Sequence, residues 1–152
     1  LVLSTLHTND APSTVNRLVN LGVEGFMLAS ALRGIMAQRL VRTLCPACKK
    51  KTFVERGLLE KIGVDPEMGE EICEPVGCVQ CHQSGYKGRT GVYECLVVTP
   101  EMQRFIESQA GLAEIRQQAM HEGMLSLRQS AVNKLVQGLT SVDEVLRLTV
   151  EE

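Results

Sequence analysis

The sequence predicts an α/β chain that carries a small cysteine-rich insert and ends in a group of helices. Three observations predict this fold class: an apolar run typical of a buried strand opens the chain, two Cys-x-x-Cys pairs bracket a polar middle segment, and capped helical patterns fill the last third. Since 44% of the 152 residues are hydrophobic, the chain is long enough to form a core without covalent cross-links.

The opening run Leu1–Leu6 predicts a buried strand from the first residue onward. It has no initiator Met and no lead-in, so we expect the chain to be a fragment of a longer protein. The absence of a signal peptide is therefore uninformative.

Two helices are predicted after this strand. Asp10 is a good N-cap and Pro12 is tolerated in the first turn of a helix that ends near Gly22. A second helix is predicted from Glu24 to Arg42. Its inner face would carry Leu28, Leu32, Ile35, Met36 and Leu40.

Four cysteines form the strongest motif in the chain. Cys45 and Cys48 make one pair, and Cys78 and Cys81 make a second pair with Gly77 before it. Two such pairs predict a tetrahedral cage for Zn²⁺ in which backbone N–H groups turn toward the sulfurs. Because four thiolates leave no open coordination position, the site would be structural.

The alternatives are disulfides and other ligands. The total of six cysteines is even, as in a secreted framework, but a chain of this length does not need such staples. Cys73 and His82 lie close enough in sequence to replace one of the four ligands. Cys95 falls in a strand-like run and is expected to be a small buried apolar residue. Reduced thiols indicate a cytosolic setting.

Between the cysteine pairs the segment from Gly63 to Pro75 is acidic and contains Gly and Pro. After the second pair, Ser84–Gly91 predicts a tight β-ribbon that leads into a strand at 92–98. Its lysine and glycine spacing does not fit a phosphate-binding loop.

The rest of the chain is predicted to be helical. Thr99 caps a helix through Ser108, and further helices are predicted at 112–121 and 125–136, the last stopped by Gly138. Ser141–Glu144 is a capping box that starts a final helix. These helices carry no reactive cluster and predict a small packing bundle.

Charge and composition limit the partners. The net charge is -2 and 3% of residues are aromatic, which argues against nucleic-acid binding. The stretch from Arg33 to Lys51 is basic and could be a solvated face or a contact with phosphate, an acidic partner or lipid headgroups. No apolar run reaches the length of a membrane span.

Several segments together resemble the bacterial ATPases that power type II secretion and type IV pilus assembly. The similar segments occur along the chain in the order that the family shows. They are the histidine box Leu3–Ala11, then Ala37–Arg42, Leu44–Cys48, Gly77–Cys81, Gly85–Glu94, Gly138–Ser141 and Glu144–Thr149. The segment 52–75 matches poorly, and Arg128–Ala131 stands where the family often has Asp-Gly, a change expected to alter local helix geometry and not function.

The resemblance implies the C-terminal end of a RecA-like P-loop ATPase core with a small zinc-binding insert and a C-terminal helical bundle. It places the end of the core at 1–44, the tetracysteine insert and β-ribbon at 45–95 and the helical subdomain at 96–152. The chain contains no G-x-x-x-x-G-K-[ST] motif, so it lacks Walker A, and the family's Walker B acid would also precede Leu1. The full-length protein would bind ATP and Mg²⁺, and this chain alone is predicted to be inactive.

The resemblance also suggests roles for single residues. His7 would sense the γ-phosphate of ATP, with Thr5 and Asn9 as orienting residues. Arg39 and Arg42, taken as neighbours on one helix face, could reach nucleotide, a neighbouring subunit or solvent. His82 and His121 are expected to be structural.

The function implied is that of a homo-hexameric motor at the cytoplasmic face of the inner membrane. It would work with a platform protein and an adaptor of a secretion or pilus machine, and it would have no transmembrane segment. In this family the zinc cage favours the assembly and secretion branch over the retraction branch. The alternative is a stand-alone zinc-ribbon interaction module without catalytic activity. A thiol-disulfide enzyme fails on the second cysteine pair.

Overall fold

The computed structural model describes residues 1–54, 56–64 and 71–150, which form a mixed α/β chain. Mixed α/β structure was the predicted class. The helices are α1 Ala11–Asn20, α2 Gly25–Ala31, α3 Arg56–Ile62, α4 Pro100–Glu107, α5 Leu112–His121, α6 Leu127–Val136 and α7 Val142–Val150. The strands are β1 Gly34–Leu44, β2 Lys50–Phe53, β3 Glu71–Glu74 and β4 Tyr86–Val97, paired as β1 with β4 and β2 with β3.

The chain divides into two compact units, and each combines two stretches of sequence. One unit contains residues 1–37 and 93–126, and the other contains 38–92 and 127–152. The predicted helical group 96–152 is thus shared between the units. The division into 1–44, 45–95 and 96–152 stays a prediction about functional segments.

The first unit packs α1, α2, α4 and α5 around an apolar core. The helix α1 begins and ends as predicted, with the Asp10 carboxylate accepting the Ser13 N–H at 2.7 Å as an N-cap. The core residues are Ala11, Val15, Leu28, Ala29, Leu96, Val98, Met102, Ile106, Ile115, Ala119 and Met124. Gly25 allows α2 to approach α4 closely, because a Cβ there would lie 2.8 Å from the Ile106 carbonyl oxygen.

The predicted opening strand is not formed in this chain. Residues 1–8 have no regular structure, and Leu1, Val2 and Leu3 are almost fully exposed. A strand needs a hydrogen-bonded neighbour, and no described strand pairs with this run. The apolar pattern predicts a buried strand, but no described part of the chain covers or pairs with these residues.

The predicted helix from Glu24 to Arg42 is wrong beyond Ala31. The chain leaves α2 at Leu32 and enters β1 at Gly34, where it finds a partner in β4. The Val98 N–H donates to the Arg33 carbonyl at 3.1 Å near one end of the pair. Near the other end the Cys45 N–H donates to the Gly85 carbonyl at 2.9 Å, so the strands run antiparallel.

The burial of β1 follows a period of two. Along its first eight residues, exposed positions such as Met36 and Leu40 alternate with half-buried ones, up to the fully buried Val41. Both Met36 and Leu40 had been assigned to the inner face of the predicted helix. Since a strand sends residues three apart to opposite faces, the prediction that Arg39 and Arg42 share one face is also wrong.

The strand β4 is a single element of 12 residues, which replaces the predicted tight ribbon and the shorter strand after it. Val92, Glu94 and Leu96 are buried, while Tyr93 and Cys95 between them are exposed. Cys95 is therefore not the buried apolar residue that was expected. The alternation of the strand places Glu94 on the buried face, where its carboxylate accepts a hydrogen bond from the Ala11 N–H.

The second unit contains the pair of β2 and β3, which the sequence analysis missed. The strands are antiparallel, with Lys50 opposite Glu74 and Phe53 opposite Glu71. The Lys51 ammonium lies 3.0 Å from the Glu71 carboxylate. Part of the acidic segment between Gly63 and Pro75, residues 65–70, lies outside the described residues.

The helices α4 to α7 agree with the prediction apart from one start, whereas α3 was not predicted. Both α4 and α5 occupy their predicted ranges, with Thr99 as the N-cap of α4, but α6 begins at Leu127 and not at residue 125. Arg128, at the departure from the family pattern, donates hydrogen bonds to the Lys61 and Ile62 carbonyls at the end of α3. None of the described helices combines the length and apolar character that a membrane span requires.

Candidate metal centre

The first cysteine pair lies in a tight turn directly after β1. The Cys45 carbonyl accepts the N–H groups of Cys48 at 3.2 Å and of Lys49 at 2.9 Å. Cys45 is fully buried and its own N–H is bound to the Gly85 carbonyl. The turn therefore fixes both sulfurs of this pair next to the segment that follows the second pair.

The second pair surrounds a short 3₁₀ turn, Val79–Cys81. The Cys78 carbonyl accepts the N–H groups of Cys81 at 3.2 Å and of Gln83 at 2.9 Å. His82 and Gln83 then adopt left-handed angles, with φ of 51° and 62°. Such angles are uncommon for residues with a Cβ and mark a backbone that its surroundings hold in place.

Gly77 and Gly85 make this turn possible. A Cβ on Gly77, at φ +106°, would lie 2.8 Å from the Gln83 carbonyl oxygen. A Cβ on Gly85, at φ +77°, would lie 2.4 Å from the Pro75 Cβ. Glycine is required at both positions, as the sequence suggested for Gly77.

The four sulfurs converge at one point. All the Sγ atoms of Cys45, Cys48, Cys78 and Cys81 lie within 4.8 Å of one another. Their Sγ–Sγ distances include 3.9 Å from Cys45 to Cys78, 3.8 Å from Cys48 to Cys81 and 3.8 Å from Cys78 to Cys81. Sulfurs at the corners of a tetrahedron around Zn²⁺, each about 2.3 Å from the ion, would be about 3.8 Å apart. The residues present therefore fit this ion.

Backbone N–H groups point at the sulfurs, as the paired motif predicts. The Gly77 N–H donates to the Cys48 sulfur at 3.3 Å, and the Cys78 and Gly85 N–H groups each donate to the Cys81 sulfur at 3.2 Å. Burial acts to raise the pKa of Cys81, but the two N–H groups, together with the Cys78 and Cys48 thiols, outweigh it and lower this pKa to about 6. Burial and the neighbouring thiols raise the pKa of Cys48 to about 11.

The pKa shifts of Cys48 and Cys81 are opposite in direction, because the contact between their sulfurs favours a thiol at Cys48 and a thiolate at Cys81. A bound dication would favour the thiolate form at every sulfur that ligates it. Among the described residues Cys73 and His82 lie outside the cluster, so neither replaces a ligand. Cys73 lies instead against Gly138, whose Cβ would be 3.1 Å from its sulfur.

Arg42 takes part in a polar cluster that the sequence analysis did not find. The Glu144 carboxylate accepts the Arg42 backbone N–H at 2.7 Å and its Nε at 2.9 Å, with Nη2 at 2.8 Å. The guanidinium lies 4.0 Å above the Tyr86 ring, and the Tyr86 hydroxyl is 2.8 Å from that of Ser141. Long-range partners of this kind leave no local pattern in a sequence.

In this polar cluster Arg42 is bonded to Glu144 of α7. The first and last residues of the predicted capping box, Ser141 and Glu144, both belong to the cluster. Burial acts to raise the pKa of Glu144, but the hydrogen bonds from Arg42 hold it below its usual range. Arg39 is half-buried and donates to the Gln38 carbonyl at 3.4 Å, among other contacts. Arg42 is thus bonded within the chain, and a contact of either arginine with nucleotide or a neighbouring subunit stays a prediction.

His7, Thr5 and Asn9 are exposed and lie in the irregular segment before α1. The strand that was expected to precede His7 is not formed among the described residues, so His7 does not lie at the end of a strand in this chain. The adjoining Thr8 is held, because its hydroxyl is 2.8 Å from that of Thr14.

Comparison with known proteins follows the same segments. Residues 1–147 match the protein family described as type II/IV secretion system protein. The chain is 44% identical over its whole length to a type II secretion system protein E of Pseudomonas aeruginosa, of which it covers 30%. It is 45% identical over 97% of its length to the type IV pilus assembly ATPase TfpB of Acinetobacter baylyi, covering 26% of that protein.

A third relative is the type IV pilus assembly ATPase PilB of Pseudomonas aeruginosa, 46% identical over 98% of the chain and covered to 26%. The chain therefore spans less than a third of the length of these curated relatives.

Proposed function

Since this chain belongs to the type II/IV secretion system protein family, we propose that it is the C-terminal part of a hexameric motor ATPase. The complete protein would power type II secretion or type IV pilus assembly by ATP hydrolysis. The observation that supports this most strongly is the family match over 1–147 together with a four-sulfur cluster of tetrahedral spacing.

The four cysteines would hold a structural Zn²⁺. The ion supplies a rigid cross-link between two turns, and binding energy at such a site is folding energy. The N–H groups of Gly77, Cys78 and Gly85 orient the sulfurs for it. Within the second unit, the ion would then cross-link the turn after the end of β1 to the turn before the start of β4.

His7 would contact the γ-phosphate in the complete protein, with Thr5 and Asn9 as orienting side chains. An imidazole can donate a hydrogen bond to a phosphate oxygen and stabilise charge that develops in the transition state. Its exposure in this chain leaves the ring accessible for such a contact. Of the two arginines, Arg39 remains a candidate for nucleotide or a neighbouring subunit, and Arg42 acts structurally.

The partners belong to the same proposal. The complete protein would form a homo-hexamer at the cytoplasmic face of the inner membrane. It would act on a membrane platform protein and an adaptor of a secretion or pilus machine. The low proportion of aromatic residues and the net charge of -2 argue against nucleic acid as a partner.

The proposal is tested by comparing this chain with the complete protein that contains it. We expect the complete protein to hydrolyse Mg-ATP and the chain alone neither to hydrolyse it nor to bind it tightly, because the chain has no Walker A loop. Calorimetric titration and a phosphate-release assay measure both properties. A dissociation constant below about 10 μM for the chain alone would contradict the division of roles. An inactive complete protein would favour a zinc-ribbon interaction module.

A further inference from the structure

We propose that Glu94 and Arg116 are positioning residues for His7. Glu94 of β4 and Arg116 of α5 would hold the start of α1, and with it the segment that carries His7. The proposal rests on the proposed role of His7 in phosphate sensing. The contacts that carry it all lie within the first unit.

Glu94 is buried where the strand pattern calls for an apolar side chain. It is 0% exposed, in the same inward-facing row as Val92 and Leu96. Its Oε1 accepts the Ala11 N–H at 2.7 Å, at the first residue of α1. Burying a carboxylate is costly unless it is hydrogen-bonded, and a helix N-terminus is a place where negative charge is favoured. We therefore attribute the presence of Glu94 in this row to its hydrogen bond with the start of α1 and not to apolar packing of β4.

Arg116 of α5 also binds the start of α1, through the N-cap residue Asp10. Its Nη2 donates to the Asp10 Oδ2 at 2.5 Å, while the Asp10 Oδ1 accepts the Ser13 N–H at 2.7 Å. Asp10 is thus both the N-cap of α1 and the partner of α5. Neither Glu94 nor Arg116 is near Asp10 in sequence, so both contacts are specific to the folded unit.

The fastening extends to the residue beside His7. The Thr14 hydroxyl lies 2.8 Å from the Thr8 hydroxyl and 3.2 Å from the Asp10 carbonyl oxygen. The segment from Thr8 through the first turn of α1 is therefore hydrogen-bonded internally, and it is also bonded to Glu94 of β4 and to Arg116 of α5. We call it the anchored segment. His7 is the next residue, so its imidazole is positioned through this anchored segment. A displacement of about 1 Å in such a group can cost on the order of 10²-fold in rate.

The first test measures ATP turnover by the complete protein. Glu94→Ala and Arg116→Ala should each lower kcat by about 10-fold with little change in KM, because they displace His7 without touching nucleotide. Combined with His7→Ala, neither should lower kcat further. Glu94→Gln keeps an acceptor for the Ala11 N–H and should recover most of the rate. Arg104→Ala, which removes an exposed arginine of α4, is the matched control and should be normal.

A purely structural role predicts losses that add to the effect of His7→Ala, and additive losses overturn the proposal. Normal kcat in Glu94→Ala and Arg116→Ala, with a low kcat in His7→Ala, also overturns it while leaving the proposed function intact.

The second test does not depend on activity. Hydrogen–deuterium exchange on the complete protein should show faster exchange across residues 5–14 in Glu94→Ala and Arg116→Ala, with residues 100–107 of α4 unchanged. Unchanged exchange across 5–14 in both variants overturns the positioning role. A protein without any ATPase activity but with the expected exchange pattern would instead refute the proposed function and leave the anchored segment established.

Discussion

Gly77 and Gly85 flank the second cysteine pair at left-handed backbone angles, and each donates its N–H to a cysteine sulfur. At the scale of single residues, the candidate metal centre thus consists of the four sulfurs and of the backbone that orients them. A cysteine variant removes a ligand, whereas a glycine variant displaces ligands that are still present. The two kinds of change separate coordination from the geometry around it.

We predict one zinc ion per chain, bound at about 2.3 Å from four sulfurs. Cys81→Ser should lose the ion and unfold the cysteine-rich insert, because ligand binding there is folding energy. Cys95→Ser is the matched control, since Cys95 is exposed and outside the cluster, and it should keep both zinc and stability. Elemental analysis and X-ray absorption on protein purified without added metal measure this. A zinc content near zero would rule out the site.

Gly85→Ala should weaken zinc binding, whereas Gly88→Ala should not. Both glycines have positive φ, so both variants suffer backbone strain of about 1 kcal/mol. A Cβ at Gly85 also collides with Pro75, while at Gly88 nothing lies within 4 Å. Chelator competition at equal protein concentration gives the two zinc affinities. Equal affinities would show that the turn tolerates the displacement.

At the scale of elements, α7 is fastened by one acidic residue at its start. Glu144 accepts the backbone N–H and the side chain of Arg42 on β1, and Thr140 donates to the Arg42 carbonyl at 2.8 Å. The helix is therefore attached to β1 just before the first cysteine pair. Loss of this attachment would expose the buried Val145 of the same helix.

Glu144→Gln should lower the free energy of unfolding by about 1.5–3 kcal/mol at pH 7, the range for hydrogen bonds to charged groups. Because the folded-state pKa of Glu144 is lowered, its contribution is present above the unfolded pKa of about 4.3 and is lost as the pH falls through the folded value. The difference between the parent and this variant should therefore shrink below about pH 4. Urea unfolding across this pH range measures it, with Glu107→Gln at an exposed position of α4 as the control. A difference that stays constant with pH would contradict the ion pair.

The elements differ in how well local sequence predicts them. The helices α1, α4 and α5 carry their own caps and period, and the sequence was sufficient for them. The strand β1 contains the helix-compatible spacing of Ile35, Met36 and Leu40, and its observed period depends on its partner β4, about fifty residues later. Only that distant partner decides between the two periods.

The candidate site shows the same contrast. The cysteine pairs were predictable because their chemistry is local to each turn. The roles of Glu94, Arg116 and Glu144 were not, because each depends on a partner more than eighty residues away. A buried acid within the apolar alternation of β4 was the one signal of such a role in the sequence.

At the scale of the whole molecule, the chain is less than a third of the relatives that it matches, so its chemistry has to be judged in the complete protein. The second unit holds the cysteine cluster and the attachment of α7. The first unit presents His7 from an anchored segment and contains no sequence motif for holding a triphosphate. In the proposed motor the remainder of the protein would hold the nucleotide, and this chain would contribute His7 and a unit cross-linked by zinc.

The most direct test of this account is the ATP turnover of the complete protein with His7→Ala. If His7 stabilises charge at the γ-phosphate, turnover should fall on the order of 10²-fold while nucleotide affinity changes little. Zinc content and melting temperature should stay at the parent values, because His7 is exposed and lies outside the cysteine cluster. Normal turnover in His7→Ala, or a loss explained by a lower melting temperature alone, would contradict the account.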